Sequence, residues 1–588
     1  MKRLKIFTLL LSLFLGSCTV DDNKISFTLL QLNDVYEISS IQGGNFGGMA
    51  RVETIHKELL KENENTMLVM AGDFLNPSLL GGMKINGEKI RGKQMIEVMN
   101  AMNFDVVAFG NHEFDIPKKD LQNRINESSF PWISSNIFLK NSDTIKRFYQ
   151  LTDGISRSIK GSFIKEISDA DGTKIKIGFI SVCIPSNPKE YVLYKDMFSS
   201  IQKEYELIKE EVDVVIGLTH VKIEHDREIA RLLPNIPLIM GGHEHDHKNE
   251  MIGNVKITKA DANAKTAYIH SINFNKKTKE ISISSLLKTI DTSIVDDKKV
   301  KLVVDKWMEV MNSQISKIVE NPYEIIYHTN IPLDGRDIPI RSNQTNLGQL
   351  IAKSMAYSYN NEVDCSIVNG GSIRIDDQLV GDINSVDAFR VLPFGGSVLK
   401  VKMRGSLLKK VLEYGNNAAG SGAYLQRSSI EMNDTLFSIN NSTINPSKIY
   451  TIAISDYLMK GFDIPFLTHN HLDVISVYHP VPTDISYDIR KSLITDLLRT
   501  LKPGGLFSFQ MGFGEGLDSP IGRRSAYYDN YYDATGTNSL HDVRIHNESD
   551  VIEDLTNIGY VNVTTEVRES YSDSGHTHWI YVKAYKPQ

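Results

Sequence analysis

Between Phe27 and about Ile290, six apolar, β-rich runs alternate with helix-like stretches, and no other feature narrows the fold as much. The runs are Phe27 to Leu32, Met67 to Met70, Asp105 to Phe109, Ile175 to Val182, Val212 to Leu218 and Pro237 to Met240. Short segments that are apolar almost throughout read as strands covered on both faces, so layers must lie on either side of them. The alternation predicts an α/β sandwich with its site in the loops at the strand ends.

Most of these runs are closed by residues that can coordinate or move a proton. Asp34 follows the first, Gly72-Asp73 the second, Gly110-Asn111-His112-Glu113-Phe114-Asp115 the third, His220 the fifth and Gly242-His243-Glu244-His245 the sixth. Any one of them alone reads as an ordinary turn or a satisfied core residue. Together they supply carboxylate, amide and imidazole donors at successive strand ends, a set that suits two divalent cations. Asp73 is the candidate bridge, with Gly72 allowing an abrupt turn. Asn111, His220 and His243 complete one metal set, and Asp34 and His245 hold the other. Two residues apart, His243 and His245 are expected to point to the same side of an extended segment. His112 and Asp115 form an acid/base pair within one turn, whereas Glu113 has no assignable role.

The chain has 588 residues, 41% of them hydrophobic, and a formal net charge of −7 with no basic stripe. It is long enough for several domains and lacks the electrostatic footprint of a nucleic-acid binder. Lys2, Arg3 and Lys5 precede an apolar core from Ile6 to Leu15 that is too short to span a bilayer, so the N-terminus reads as an export signal. Leu15-Gly16-Ser17-Cys18 resembles the lipobox of bacterial lipoproteins. That resemblance implies cleavage before Cys18, lipidation of Cys18, and a membrane-anchored protein facing the periplasm or cell surface. Cys183 and Cys365 lie in apolar strand patterns of different domains and are expected to be buried free thiols.

Val300, Val303, Val304, Trp307, Met308, Met311, Ile315 and Ile318 recur at helical spacing and predict one amphipathic connecting helix. A second α/β region follows from about Glu324 to Arg490. In it Arg336, Arg341 and Arg374 offer forked donors suited to phosphate, and Phe394 and Tyr457 could sandwich a flat base. The last ninety or so residues change character. Lys502-Pro503-Gly504-Gly505 between a helical and a β-rich stretch resembles the closing third of a class I S-adenosylmethionine methyltransferase. No upstream Gly-rich loop has the spacing to bind that cofactor, so the tail is expected to be an inactive fragment, and no S-adenosylmethionine is expected.

The ordered segments LLQLND, MAGD, GNHEFD, GLTH and GGHEHD resemble the calcineurin-like metallophosphatase domain of the 5'-nucleotidase family. The second region, with QTNLG, NGGSIR, LPFGG and SGAYLQ, resembles that family's C-terminal domain. The resemblance implies a four-layer αββα metallophosphatase sandwich with two divalent metal ions such as Zn or Mn. His112 would stabilise the transition state and Asp115 orient it. Arg336, Arg341 and Arg374 would bind phosphate, Phe394 and Tyr457 stack on the base, Asn369 contact the base and Asp463 hold the ribose. Implied boundaries are a signal at 1–18, the metallophosphatase domain at 25–295, the connecting helix at 296–320, the substrate domain at 321–495 and the methyltransferase-like fragment at 496–588. The implied activity is hydrolysis of nucleotide phosphate esters by a hydroxide that the two metals activate. UDP-sugar hydrolysis, 2',3'-cyclic-nucleotide phosphodiesterase action and nucleotide binding without catalysis are the alternatives. Two departures bear on the choice: the family's usual Asp-x-His is Asp34-Val35-Tyr36 here, and its usual Gly-Gly-Asp-Gly is Gly461-Phe462-Asp463-Ile464.

Overall fold

A computed structural model describes residues 23–587, apart from 142–143, 186–188, 376, 394, 434–435, 462, 465–466, 468–471, 478–493, 496, 499, 514–547 and 573–574. Cys18, Phe394 and Phe462 therefore lie outside the described residues. The chain divides into two compact units, Met1–Glu320 and Asn321–Gln588.

The first unit is built on two six-stranded sheets. One runs in the order Ile281–Thr289, Thr266–Asn275, Lys24–Leu32, Thr66–Met70, Val106–Ala108, Trp132–Ile133. Its last four strands are parallel, as strand–helix alternation requires. The other runs Ser162–Ser168, Lys174–Ile180, Val214–Thr219, Leu238–Gly241, Val255–Lys259, Lys248–Ile252. Alternate side chains of the two sheets meet in one core, with Phe27, Leu29, Met67, Val69 and Val106 packed among Ile177, Phe179, Ile216, Leu218 and Met240. The opposite face of the second sheet is covered by the helices Met197–Ile208 and Ile223–Leu232, through Ile201, Ile208, Ile223 and Ile229. The expected αββα layering is present. Thr66–Met70, Val106–Ala108, Val214–Thr219 and Leu238–Gly241 are buried throughout for this reason.

The connecting helix spans Lys298–Ile315 and starts where Asp297 accepts from Lys299 N and Val300 N, both at 3.1 Å. It packs on the helices Met49–Glu62 and Lys93–Met102, with Trp307 Nε1 donating to Glu97 at 3.0 Å. The connector is thus part of the first unit. Cys183 and Cys365 are both free and buried.

The second unit has an eight-stranded sheet in the order Leu425–Ser428, Cys365–Asn369, Ile449–Ser455, Val398–Arg404, Leu472–Val477, Leu501–Phe513, Gly575–Tyr585, Val561–Ser572. The tail strands Leu501–Phe513, Gly575–Tyr585 and Val561–Ser572 continue this sheet. Leu472–Val477 pairs antiparallel to Val398–Arg404, with Leu399 opposite Val477, and parallel to Leu501–Phe513. Leu399, Val401, Leu408 and Ile452 share one core with Leu501, Phe507, Leu555, Tyr560 and Val582 from the tail. The Lys502-Pro503-Gly504-Gly505 turn falls inside the strand, where the register slips between the pairs Leu472–Leu501 and Val474–Leu506. Gly504 has φ 73° there, which a glycine adopts without strain.

Candidate metal centre and active site

Asp34, Asp73 and His220 each bring a ligand atom within 4.8 Å of the others, and all three are buried. Each stands just past a strand: Asp34 after Lys24–Leu32, Asp73 after Thr66–Met70 and His220 after Val214–Thr219. His220 Nε2 lies 3.0 Å from Asp73 Oδ2 and 3.9 Å from Asp34 Oδ1. His220 Nδ1 is 2.7 Å from the Ala71 carbonyl, which can only accept, so Nδ1 carries the proton. In the neutral ring the coordinating lone pair is therefore on Nε2, beside both carboxylates.

The remaining expected ligands converge on the same carboxylates. His245 Nε2 is 3.1 Å from Asp34 Oδ1, and His243 N donates to Asp34 Oδ2 at 2.8 Å. The His220 and His243 rings lie edge to face with centroids 5.5 Å apart. The segment that carries His243 and His245 is not extended: their φ values are 90° and 59°, so it turns back on itself after Gly241. Asp34 and Asp73 also have positive φ, 54° and 56°. Close approach explains the glycines, since a Cβ on Gly110 would stand 2.1 Å from Asp73 Oδ1 and one on Gly242 2.5 Å from the Ala71 carbonyl oxygen.

Electrostatically the site demands positive charge. Burial disfavours ionising Asp34 and Asp73, yet neighbouring imidazoles hold both below the ordinary carboxylate range. Burial likewise opposes a charge on His220, but Asp73 and Asp34 carry its pKa up to about 10. Two buried carboxylates side by side require a compensating cation. Burial, and then the charge on His220, push His243 down to about 3 and keep it a neutral donor. Asn111 Oδ1 is buried and has no hydrogen-bond partner. Asn111 stands between Gly110 and His112, both of which meet Asp73. An orphaned carbonyl oxygen, two buried carboxylates and imidazoles are a donor set that fits divalent cations, and Asp34, Asp73, Asn111, His220, His243 and His245 are the residues that would hold them.

His112 N donates to Asp73 Oδ1 at 2.7 Å, and His112 Nδ1 lies 2.6 Å from Asp115 Oδ2. The other Asp115 oxygen is 3.6 Å from Lys189 Nζ. The pair sits in the one-turn helix His112–Asp115 and remains partly accessible. Tyr36 stands where the family pattern has a histidine. Its hydroxyl is 3.0 Å from His245 Nε2 and 3.4 Å from Asp73 Oδ2.

Two residues of consequence escaped the sequence reading. Glu113 is wholly buried, and its two oxygens accept four backbone amides: Oε1 from Phe74 (2.7 Å) and Leu75 (3.1 Å), Oε2 from Asp73 (2.9 Å) and Gly110 (2.6 Å). Burial, and next the charge of Asp73, raise its pKa to about 7 against those hydrogen bonds. Lys259 is also wholly buried. Its Nζ donates to Val221 O (2.6 Å) and Gly242 O (2.8 Å) and pairs with Asp226 (2.8 Å) and Glu244. It ties together the residues that follow His220 and those that flank His243.

In the second unit, Asn369, Asp463, Tyr457, Arg341 and Arg374 gather. Asn369 Nδ2 donates to Asp463 Oδ2 at 2.7 Å, and its Oδ1 accepts from Ser372 Oγ at 2.7 Å. Both ends of the Asn369 amide are thus engaged within the chain. Asp463 also bonds the Tyr457 hydroxyl and feels the charge of Arg341, while Arg374 acts on Tyr457. Burial nevertheless raises the Asp463 pKa. Arg336 forks onto Asp334 at 3.0 and 2.9 Å, and Arg341 pairs with Asp337 at 2.7 Å.

Residues 27–247 match the calcineurin-like phosphoesterase family and residues 325–469 the 5'-nucleotidase C-terminal domain. The trifunctional nucleotide phosphoesterase protein YfkN of Bacillus subtilis is 26% identical over 498 residues, which are 75% of this chain but 32% of that protein. The chain therefore spans about a third of that relative's length. Human 5'-nucleotidase is 27% identical over 418 residues, 65% of this chain and 68% of that protein. Among solved structures, the 5'-nucleotidase precursor from Thermus thermophilus shares the fold, with a TM-score of 0.59 at 19% identity over 75% of this chain and 91% of that one.

Proposed function

We propose, for a chain that belongs with the phosphoric ester hydrolases of the 5'-nucleotidase family through its calcineurin-like phosphoesterase and 5'-nucleotidase C-terminal domains, that it releases phosphate from nucleotides at a dinuclear metal centre. The observation that carries the proposal is the convergence of the buried Asp34, Asp73 and His220, whose ligand atoms lie within 4.8 Å of one another. When bound, the cations lower the pKa of water and neutralise phosphoryl oxygens. Asp73 would be shared by the two sites, Asn111, His220 and His243 would complete one of them, and Asp34 with His245 would hold the other. His112, oriented by Asp115 through Nδ1, places its Nε2 proton against the charge that builds on phosphorus-bound oxygen. Arg341 and Arg374 attract the phosphate, and Tyr457 stacks on the base while Asp463 holds the ribose. The N-terminal segment exports the protein, and a lipid on Cys18 anchors it at the membrane surface.

Release of phosphate or nucleoside from AMP, UDP-glucose and 2',3'-cyclic AMP, each with Zn²⁺ and Mn²⁺, tests this reading. AMP should be consumed fastest. Turnover confined to the cyclic compound would transfer the assignment to a phosphodiesterase. One observation favours a binding-only protein: the Tyr36 hydroxyl stands where a metal-ligating imidazole is usual in the family. No turnover of any compound with either metal would establish that reading instead.

A further inference from the structure

Arg427, on the strand Leu425–Ser428, is 7% exposed, and its Nε is buried without a hydrogen-bond partner. The guanidinium lies 5.3 Å from the Phe437 ring centroid, and burial pulls its pKa below the ordinary arginine value with no carboxylate acting on it. Arg124 makes the contrast. Comparably buried and likewise without a partner at Nε, it nevertheless donates from Nη1 to the Ile90 carbonyl and pairs through Nη2 with Glu127, both at 2.7 Å. Arginine keeps its proton even where water is scarce, and a buried charge is costly until something of opposite sign meets it. Arg427 is thus a fixed cation that the described residues leave without a counter-ion.

It also lines a cleft of about 610 Å³, within the range of small-molecule sites. Lys353, Gln349, Asn440 and Asn441 share the lining, as does one acid, Glu431. Two cations face one carboxylate, and Glu431 is exposed, so the lining stays positive. Side-chain amides both donate and accept, which matches hydroxyl groups. None of Arg336, Arg341, Asn369, Arg374, Tyr457 or Asp463 lines the cleft, so it is distinct from the expected nucleotide contacts.

We propose that this cleft is a second ligand site, in which Arg427 and Lys353 hold the phosphate or carboxylate of a small hydroxyl-bearing molecule and the amides take its hydroxyls. The inference does not depend on the catalytic assignment.

Hydrogen exchange on the full chain tests it, because the readout is local. Inorganic phosphate, gluconate and glucose 6-phosphate are added separately. At ten times the dissociation constant of a binding probe, exchange in segments 425–431 and 436–443 should slow about tenfold in the natural protein. Arg427→Met should abolish that protection. Lys353→Gln, a change on an exposed helix position that cannot unfold the unit, should weaken it. The most protective probe identifies the source: glucose 6-phosphate a sugar phosphate, gluconate a sugar acid, and phosphate alone the free anion. Protection at residues 69–75 or 110–115 reports the metal centre and does not count. Absence of protection at the cleft with all three probes, or protection undiminished in both variants, would overturn the proposal.

Discussion

The carboxylate of Glu113 accepts the backbone amide of Asp73 at 2.9 Å, although forty residues separate them. Through its four amide bonds, Glu113 fixes the loop that carries the candidate bridging ligand against the loop that carries Asn111. Glu113→Gln would set an NH₂ group against two backbone donors. We expect it to cost about 2–3 kcal/mol of first-unit stability and to weaken metal binding. Urea midpoints and a metal titration of the variant check both effects, and unchanged metal affinity would remove Glu113 from the site's support.

Lys259→Met should leave Asp226 and Glu244 buried without a cation, at about 3–5 kcal/mol. Since Lys259 also holds the Gly242 carbonyl, metal affinity should fall by about 10- to 100-fold. Adding Asp226→Asn should recover part of the stability but not the affinity. Denaturation curves and equilibrium dialysis of the two variants separate these outcomes.

His112→Ala should lower kcat by about 100-fold or more, and Asp115→Asn by less, with KM little changed in either. Asp73→Asn should instead abolish tight metal binding. Steady-state kinetics at saturating metal decides the first pair; a KM effect alone would place His112 in ground-state binding.

Acid should destabilise the first unit through His270. Its Nδ1 is 2.8 Å from Ser285 Oγ and its Nε2 3.0 Å from Gln31 Oε1, and burial, then the charge of Lys256, holds its pKa at about 3. The unfolded chain takes up this proton near pH 6.5 and the folded chain does not. The contribution is therefore nil above that pH and grows more unfavourable as pH falls towards about 3, at up to roughly 1.4 kcal/mol per pH unit. Replacing the imidazole, as in His270→Gln, should flatten the dependence of the urea midpoint between pH 7 and pH 5. Equal slopes in variant and natural protein would contradict it.

Removal of the tail should unfold the second unit. A chain ending at Lys491 loses Leu501, Phe507, Leu555, Tyr560 and Val582 from the core. At roughly 1.5–3 kcal/mol for each buried side chain, the loss rivals the whole stability of a domain. Limited proteolysis should then cleave throughout residues 321–490, whereas the full chain resists. Equal resistance would show that the tail strands add nothing to the sheet.

Strand ends were legible because apolar runs announce buried strands, and parallel strands that end together bring Asp34, Asp73, Asn111, His220 and His243 to one place. Glu113 was not legible, since its partners are backbone amides, which carry no signature in sequence. Lys259 sits in a strand pattern where nothing announces a buried charge. The reading of His243 and His245 as extended failed because a local φ is invisible in residue order. The tail's place depended on Leu399 meeting Val477, a pairing no local pattern encodes.

The positive φ angles of Asp34, Asp73, His243 and His245 set a limit on how this centre could drift. Among residues with a side chain, aspartate, asparagine and histidine are the types that tolerate that region most readily, and they are also good donors to divalent cations. A new ligand type at these positions, glutamate or cysteine for example, must first be accommodated by the backbone. Exchange among Asp, Asn and His is the route by which donor number and charge can change while the loops keep their course.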